Sequence, residues 1–176
     1  MKKWAVDSDH SVAAFSIRHM MIAHVRGQFN SMEGVIHFDP PDVAGASVEL
    51  LIGAASVVTG IQKRDDHLRS SDFLDVAAYP RITFKSSRIE PLGGSRARVT
   101  GDLTMHGVTK QVTVDAEFSG PVKDPFGDDV SMGFSTSAVI NREDYGITWN
   151  QPMENNGIML GREVILMIDL EADLVK

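Results

Sequence analysis

The chain has no cysteine. That absence removes disulfide staples, thiolate metal sites and thiol nucleophiles, and leaves the compartment undecided, since exported proteins also do without cysteine. No run approaches the ~18 consecutive apolar residues of a spanning helix, so lipid is met by carriage or by docking at a surface. A clustered basic face is missing too: 17 Lys and Arg are scattered among 24 acidic residues for a net charge of −7. Such a balance excludes a phosphate-backbone partner, and nucleic acid with it. Met1-Lys2-Lys3 begins like an export signal, but no apolar segment follows, because Trp4-Ala5-Val6-Asp7 runs into Ser, Asp and His. As written the sequence predicts a cytoplasmic protein, and a periplasmic one if a leader has been removed.

Catalytic and metal signatures are equally sparse. There is no G-x-S-x-G elbow around Ser70, Ser71 or Ser135, and no H-x-H or H-E-x-x-H pair among the histidines, which argues against hydrolase chemistry and a built metal centre. The acidic stretch Asp124 to Asp129 lacks the spacing of a calcium loop and reads as a turn.

What the sequence does have is alternation. At 176 residues with 43% apolar and 23% charged residues, it is predicted to fold as a single domain spanning 1–176. Eight period-two segments are marked at 11–20, 25–38, 46–55, 82–89, 96–106, 110–120, 130–140 and 163–174, with a short ninth at 4–6. Val99, Leu103 and Met105 alternate with Thr100, Asp102 and Thr104, and Val112, Val114, Ala116 and Phe118 with Thr113, Asp115 and Glu117. One face is therefore buried and the other wet. Gly93-Gly94, His106-Gly107 and the Asp124–Asp129 stretch supply hairpin turns between adjacent segments. Sequential hairpins of near-equal length predict an all-β, eight-stranded antiparallel up-and-down barrel. One segment breaks the pattern: residues 60–71 have helical spacing, with Thr59 and Gln62 at capping-box distance and Ile61 and Leu68 on one side. A lone helix inserted near one end of a barrel is read as a lid, and Pro80 ends that excursion. The long connection 141–162 has no clear period and reads as a loop anchored by Trp149.

The blocks Asp7-Ser8-Asp9-His10-Ser11, Val25-Arg26-Gly27-Gln28-Phe29, Arg64-Asp65-Asp66-His67-Leu68, Tyr79-Pro80-Arg81-Ile82-Thr83-Phe84, Gly101–Lys110 and Asn141–Gly146 stand in an order and spacing that resembles the YceI-like family. That group is lipocalin-like and associated with polyisoprenoid binding. The resemblance implies an extended barrel with a long apolar pocket for a prenyl chain, whose ligands are similar to prenylated quinones such as ubiquinone or to polyprenyl phosphates. Leu74 stands where a second aromatic after Phe73 is frequent in the family.

The expectation is thus a non-enzymatic carrier or store of a polyisoprenoid lipid, with no cofactor beyond that ligand. The tail wall is assigned to Phe15, Ile17, Phe29, Leu50, Ile52, Leu68, Phe73, Phe84, Leu103, Phe118, Phe134 and Ile168. A polar rim for the headgroup is assigned to Arg18, His19, Arg64, Asp65, His67 and Arg142. Arg64 and Asp65 read more readily as an ion pair tying the helix to the barrel, His10 and His19 as backbone-bonding rim residues, and His67 as a cap or packing element of the helix. The alternatives are an enzyme of isoprenoid or small-molecule metabolism using His19, Arg64 and His67 as acid–base groups, or a stress-response scaffold with a filled barrel. Apolar Ile165 and Met167, if outward, predict a homodimer paired through their strand.

Overall fold

The computed structural model describes residues 1–154 and 156–176. Among the described residues ten strands make up one antiparallel sheet: β1 (Lys3–His19), β2 (Ala23–Phe29), β3 (Met32–Asp39), β4 (Asp42–Gly53), β5 (Val57–Val58), β6 (Arg81–Gly93), β7 (Arg96–Met105), β8 (Val108–Lys123), β9 (Val130–Asn141) and β10 (Leu160–Leu174). They follow the order β10-β9-β8-β7-β6-β4-β3-β1-β2-β5, and β10 also pairs with β1, which closes the barrel.

Ten strands make eight staves. β1 is long enough to serve two neighbours, pairing through Lys3–Ala5 with β3 and through Ala13–His19 with β2. The sequence predicts one strand over 25–38, but the chain breaks at Asn30-Ser31, where both backbone N–H groups turn to Ser56, the first to its carbonyl and the second to its hydroxyl. The isolated segment at 4–6 joins the segment at 11–20 across a bulge between Asp7 and Val12 to form β1. The His106-Gly107 turn is as read, with φ of 51° and 74° at its two residues, the mirror-image turn whose twist matches a hairpin.

The two ends differ. At the lower end lie both termini, the Pro40-Pro41 turn, the Gly93-Gly94 turn and residues 124–129. Here the barrel is filled: Trp4, Ile36, Phe38, Met132 and Ala172 are buried in one cluster. Trp4 is fully buried and donates its indole N–H to the Phe38 carbonyl at 2.9 Å, so a large apolar ring closes the floor without an orphaned donor. Phe118 packs edge-on against Phe38 with ring centres 5.0 Å apart.

The upper end carries the β1–β2 hairpin, the segment 54–80 and the connection 142–159. Helix α1 (Gln62–Arg69) lies there, shorter than the predicted 60–71. The capping box does not form, because Ile61 is the N-cap and Thr59 is engaged by Asp65 and Arg64 instead. Ser70 ends the helix in an extended conformation. Arg69 ties α1 down by donating to the carbonyls of Ala55 and Val57 at 2.8 and 2.7 Å.

Ile165 and Met167 do face outward, since Val164, Leu166 and Ile168 between them line the interior. The route expected for a homodimer through that strand is closed all the same: β10 is hydrogen-bonded to β9 on one edge and β1 on the other. Its outward face, where Ile165 stands opposite Val139, is what remains for such a contact.

A candidate lipid cavity under the helix

Above the floor the side chains leave space. A cavity of about 240 Å³ lies under α1, and a second of about 180 Å³ lies deeper between the strands. The two share Phe29, Met105, Ile140 and Leu166 as wall residues, so they adjoin. Each alone falls below the ~300–1,000 Å³ of typical small-molecule sites, and together they reach it.

The alternation of the strands decides what lines this space. Phe15 and Ile17 of β1, Phe29 of β2, and Leu68 and Phe73 of the α1 region face the upper chamber. Leu50, Ile52, Phe84, Leu103, Phe134 and Ile168, with Phe29 again, face the lower one. The strand parity read from the sequence therefore holds at these positions. Phe118 is the exception: its ring belongs to the packed floor against Phe38 and lies outside both chambers. Val164 and Leu166 of β10, which share the parity of Ile168, line the wall as well. Ile147, Trp149 and Met159 come from the aperiodic connection, where no sequence period points to a face.

Close approach shapes the upper chamber. A Cβ on Gly27 would stand 2.5 Å from the Phe15 ring and 2.7 Å from the Val58 carbonyl. Only glycine lets β1, β2 and β5 converge at that point.

Among the described residues, four basic side chains reach the upper chamber: His19, Arg64, His67 and Arg142. Their settings differ. Arg64 donates to the Thr59 hydroxyl at 2.7 Å and to the Thr59 carbonyl at 2.9 Å, while Asp65, buried, accepts from the Thr59 backbone N–H at 2.8 Å. The expected Arg64–Asp65 ion pair is therefore replaced by a relay through Thr59, and Asp65 serves the loop and lies outside the cavity wall. His67 Nε2 is 2.8 Å from Asp72 Oδ2, and its ring stands edge-on to Phe73 and Trp149 at 4.9 Å each. It packs the helix as read, held by a carboxylate.

Arg18 does not reach the cavity. It sits on the exposed outer face of the β1–β2 hairpin, opposite His24. His10 also departs from its expected place, since Nδ1 meets the Asp7 carboxylate at 2.6 Å on the outside of the barrel. Glu171 lies close enough that the three ligand atoms fall within 4.8 Å of one another.

Arg142 is the least expected. Only 3% exposed, it opens the short 3-10 turn Arg142–Tyr145 after β9. Its Nε donates to Gly161 O at 2.9 Å, and one Nη donates to Ile147 O at 2.8 Å and Trp149 O at 2.9 Å. The guanidinium thereby ties Ile147 and Trp149 to Gly161 at the start of β10. The remaining nitrogen, Nη2, is buried with no partner among the described residues. Burial pushes the group below the ordinary arginine value, yet a guanidinium stays cationic in a protein. Arg142, a residue of the chamber wall, thus keeps a charged nitrogen with unused donors among the described residues, a group that costs several kcal/mol to leave unmet, by the ~1–3 kcal/mol scale for neutral donors and more for charged ones.

Fold and site together define a hollow β-barrel with a packed floor, an apolar lumen and one helix-covered mouth. The YceI-like domain profile matches residues 4–172, and the chain belongs to the YceI-like family. A UPF0312 protein of Staphylococcus aureus (strain MSSA476) is 35% identical over 164 residues, 93% of each chain. Among solved structures, Burkholderia cenocepacia BcnA superposes with a TM-score of 0.82 at 26% identity, covering 94% of this chain and 98% of that one. The Campylobacter jejuni YceI protein gives 0.74 at 31% identity over 90% of both. A domain from Saccharophagus degradans, described as polyisoprenoid binding, shares the fold alone, at 16% identity and a TM-score of 0.71 over 99% of this chain and all of that one. Among the described residues no helix is long and apolar enough to cross a membrane.

Proposed function

We propose that the protein carries or stores a polyisoprenoid amphiphile, with its tail in the two chambers and its head at Arg142. The observation that carries this reading is Arg142 in the wall of a largely apolar cavity, its Nη2 buried and, among the described residues, without a partner. A hydrocarbon alone would leave that donor unmet. A quinone carbonyl or a phosphate oxygen would satisfy it, and both classes of head join naturally to a prenyl tail. Burial contributes ~0.8 kcal/mol per methylene, so ten buried methylenes are worth about 8 kcal/mol before ordering costs, near micromolar affinity. The family membership and the Saccharophagus domain's description support the choice of a prenyl tail.

A panel of ligands of matched tail length tests the reading: squalene as headless hydrocarbon, a polyprenyl alcohol, a prenylated quinone and a polyprenyl phosphate. The headed ligands bind more tightly than squalene by the ~1.5–3 kcal/mol of a hydrogen bond to a charged group, roughly 10- to 150-fold. Equal affinity for squalene removes Arg142 from recognition, and no binding by any member removes the carrier.

The competing reading, an enzyme using the same cavity, draws on one observation. His67 is oriented by Asp72 as a general base is by its carboxylate. If that pair turned over the bound prenyl lipid, a His67→Ala variant would stop product formation; under the carrier reading the lipid is recovered unchanged from both proteins.

A further inference from the structure

The β1–β2 hairpin projects from the rim of the mouth, and its composition departs from the rest of the chain. From Ser11 to Met32 there is no acidic residue, in a protein whose net charge is −7. The tip is Met20-Met21-Ile22, exposed to 42, 50 and 80%. The Ile22 N–H bonds to the His19 carbonyl at 3.1 Å, and Met20 and Met21 have φ of 50° and 63°. Both central positions of this tight turn therefore take the left-handed conformation that favours Asn and Gly. Two methionines hold it while exposed, so strain is borne without a packing return, which is the pattern of a position kept for function.

Charge is segregated around that tip. Arg18, His24 and Arg26 lie on the hairpin's exposed outer face, and among the described residues none has a carboxylate partner. Of the acids at this end, Asp66 is bound by Arg69, Asp72 by His67 and Glu143 by Arg162, and none lies on the hairpin. The tip is fixed to the roof of the cavity, because the Met20 N–H donates to the Met159 carbonyl at 2.6 Å and Met159 lines the upper chamber.

We infer that this hairpin docks the mouth on an anionic lipid bilayer, the Met-Met-Ile tip entering the headgroup layer and Arg18 and Arg26 meeting lipid phosphates. The hairpin itself, with Arg18 and Arg26 and no acidic residue, is the part of this acidic chain that such a surface attracts. The inference rests on the proposed carrier function, for which a membrane is the place where a prenyl lipid is collected or delivered.

Flotation with vesicles of phosphatidylcholine, with and without phosphatidylglycerol, tests it. The wild-type chain floats with the phosphatidylglycerol vesicles and is released by salt. Arg26→Glu weakens the association by about fivefold or more, the worth of a basic residue at an anionic surface. Ile22→Asp weakens it about tenfold. Replacing Met20 and Met21 by Asn and Gly gives a higher melting temperature together with weaker flotation, so a loss of binding is not a loss of folding. Absence of wild-type flotation, equal flotation of all variants, or tip-dependent binding to a protein in place of vesicles overturns the inference. Uptake of a short-chain ubiquinone from detergent micelles separates the two readings: the tip variants retain it, and its failure in the wild type would count against the carrier itself.

Discussion

Ala138 lies on β9 opposite Leu166, and both face the lower chamber. Ala138→Leu adds three carbons to a wall that borders about 180 Å³ of space. At ~0.8 kcal/mol per buried methylene those atoms are worth about 2 kcal/mol to the ligand-free fold. In a domain of this length that raises the melting temperature by roughly 4–8 °C. The same atoms displace an equal length of tail, so affinity falls by about 2 kcal/mol, roughly 30-fold. Stability and binding thus move in opposite directions. Thermal unfolding of delipidated protein measures the first. The second follows from quenching of tryptophan emission by a short-chain ubiquinone, since Trp149 lines the mouth while Trp4 is buried in the floor. If the lumen were filled by side chains, the extra methyls would overpack it and cost about 1–3 kcal/mol. A lowered melting temperature with unchanged binding would refute the hollow.

Two further outcomes follow from the floor and the outer face. Trp4→Phe removes the donor to the Phe38 carbonyl and part of a fully buried ring; it lowers stability by about 2–3 kcal/mol by calorimetry while leaving ubiquinone affinity unchanged, because Trp4 lines neither chamber. The Asp7 carboxylate beside His10 raises the imidazole and is itself held below its usual range by that hydrogen bond. The contribution of His10 is present below the ordinary histidine value and is lost as pH rises through its raised one; that of Asp7 is present above the ordinary carboxylate value and is lost as pH falls through its lowered one. The pair thus contributes fully between the ordinary carboxylate and ordinary imidazole values and loses that contribution outside the lowered and raised ones; an NMR titration finds the His10 midpoint above that of a free histidine and returned toward it in Asp7→Asn. An unchanged midpoint in that variant contradicts the contact.

The barrel was legible because period-two alternation reports which face is buried, and one face here is. Phe15, Leu103 and Ile168 could be placed inward from sequence for that reason alone. Phe118 shares their parity but sits lower on its strand, and nothing in an alternating pattern tells how far along the axis packing gives way to space. Residues tied by side-chain bonds were harder to place. The capping-box spacing of Thr59 and Gln62 was overridden because Asp65 and Arg64 both reach Thr59, and Arg64 beside Asp65 looks like an ion pair in sequence whatever each one touches. Arg142 precedes a connection with no period, and the three carbonyls it organises are visible only once the chain has folded around it.

The central claim is a lumen occupied by one prenyl amphiphile. Native mass spectrometry of the full chain, purified without detergent from cells, tests it most directly. The account predicts a barrel mass increased by a single lipid that collisional activation releases intact as a prenylated quinone or polyprenyl phosphate. A bare chain that also stays bare after incubation with both lipids would contradict it.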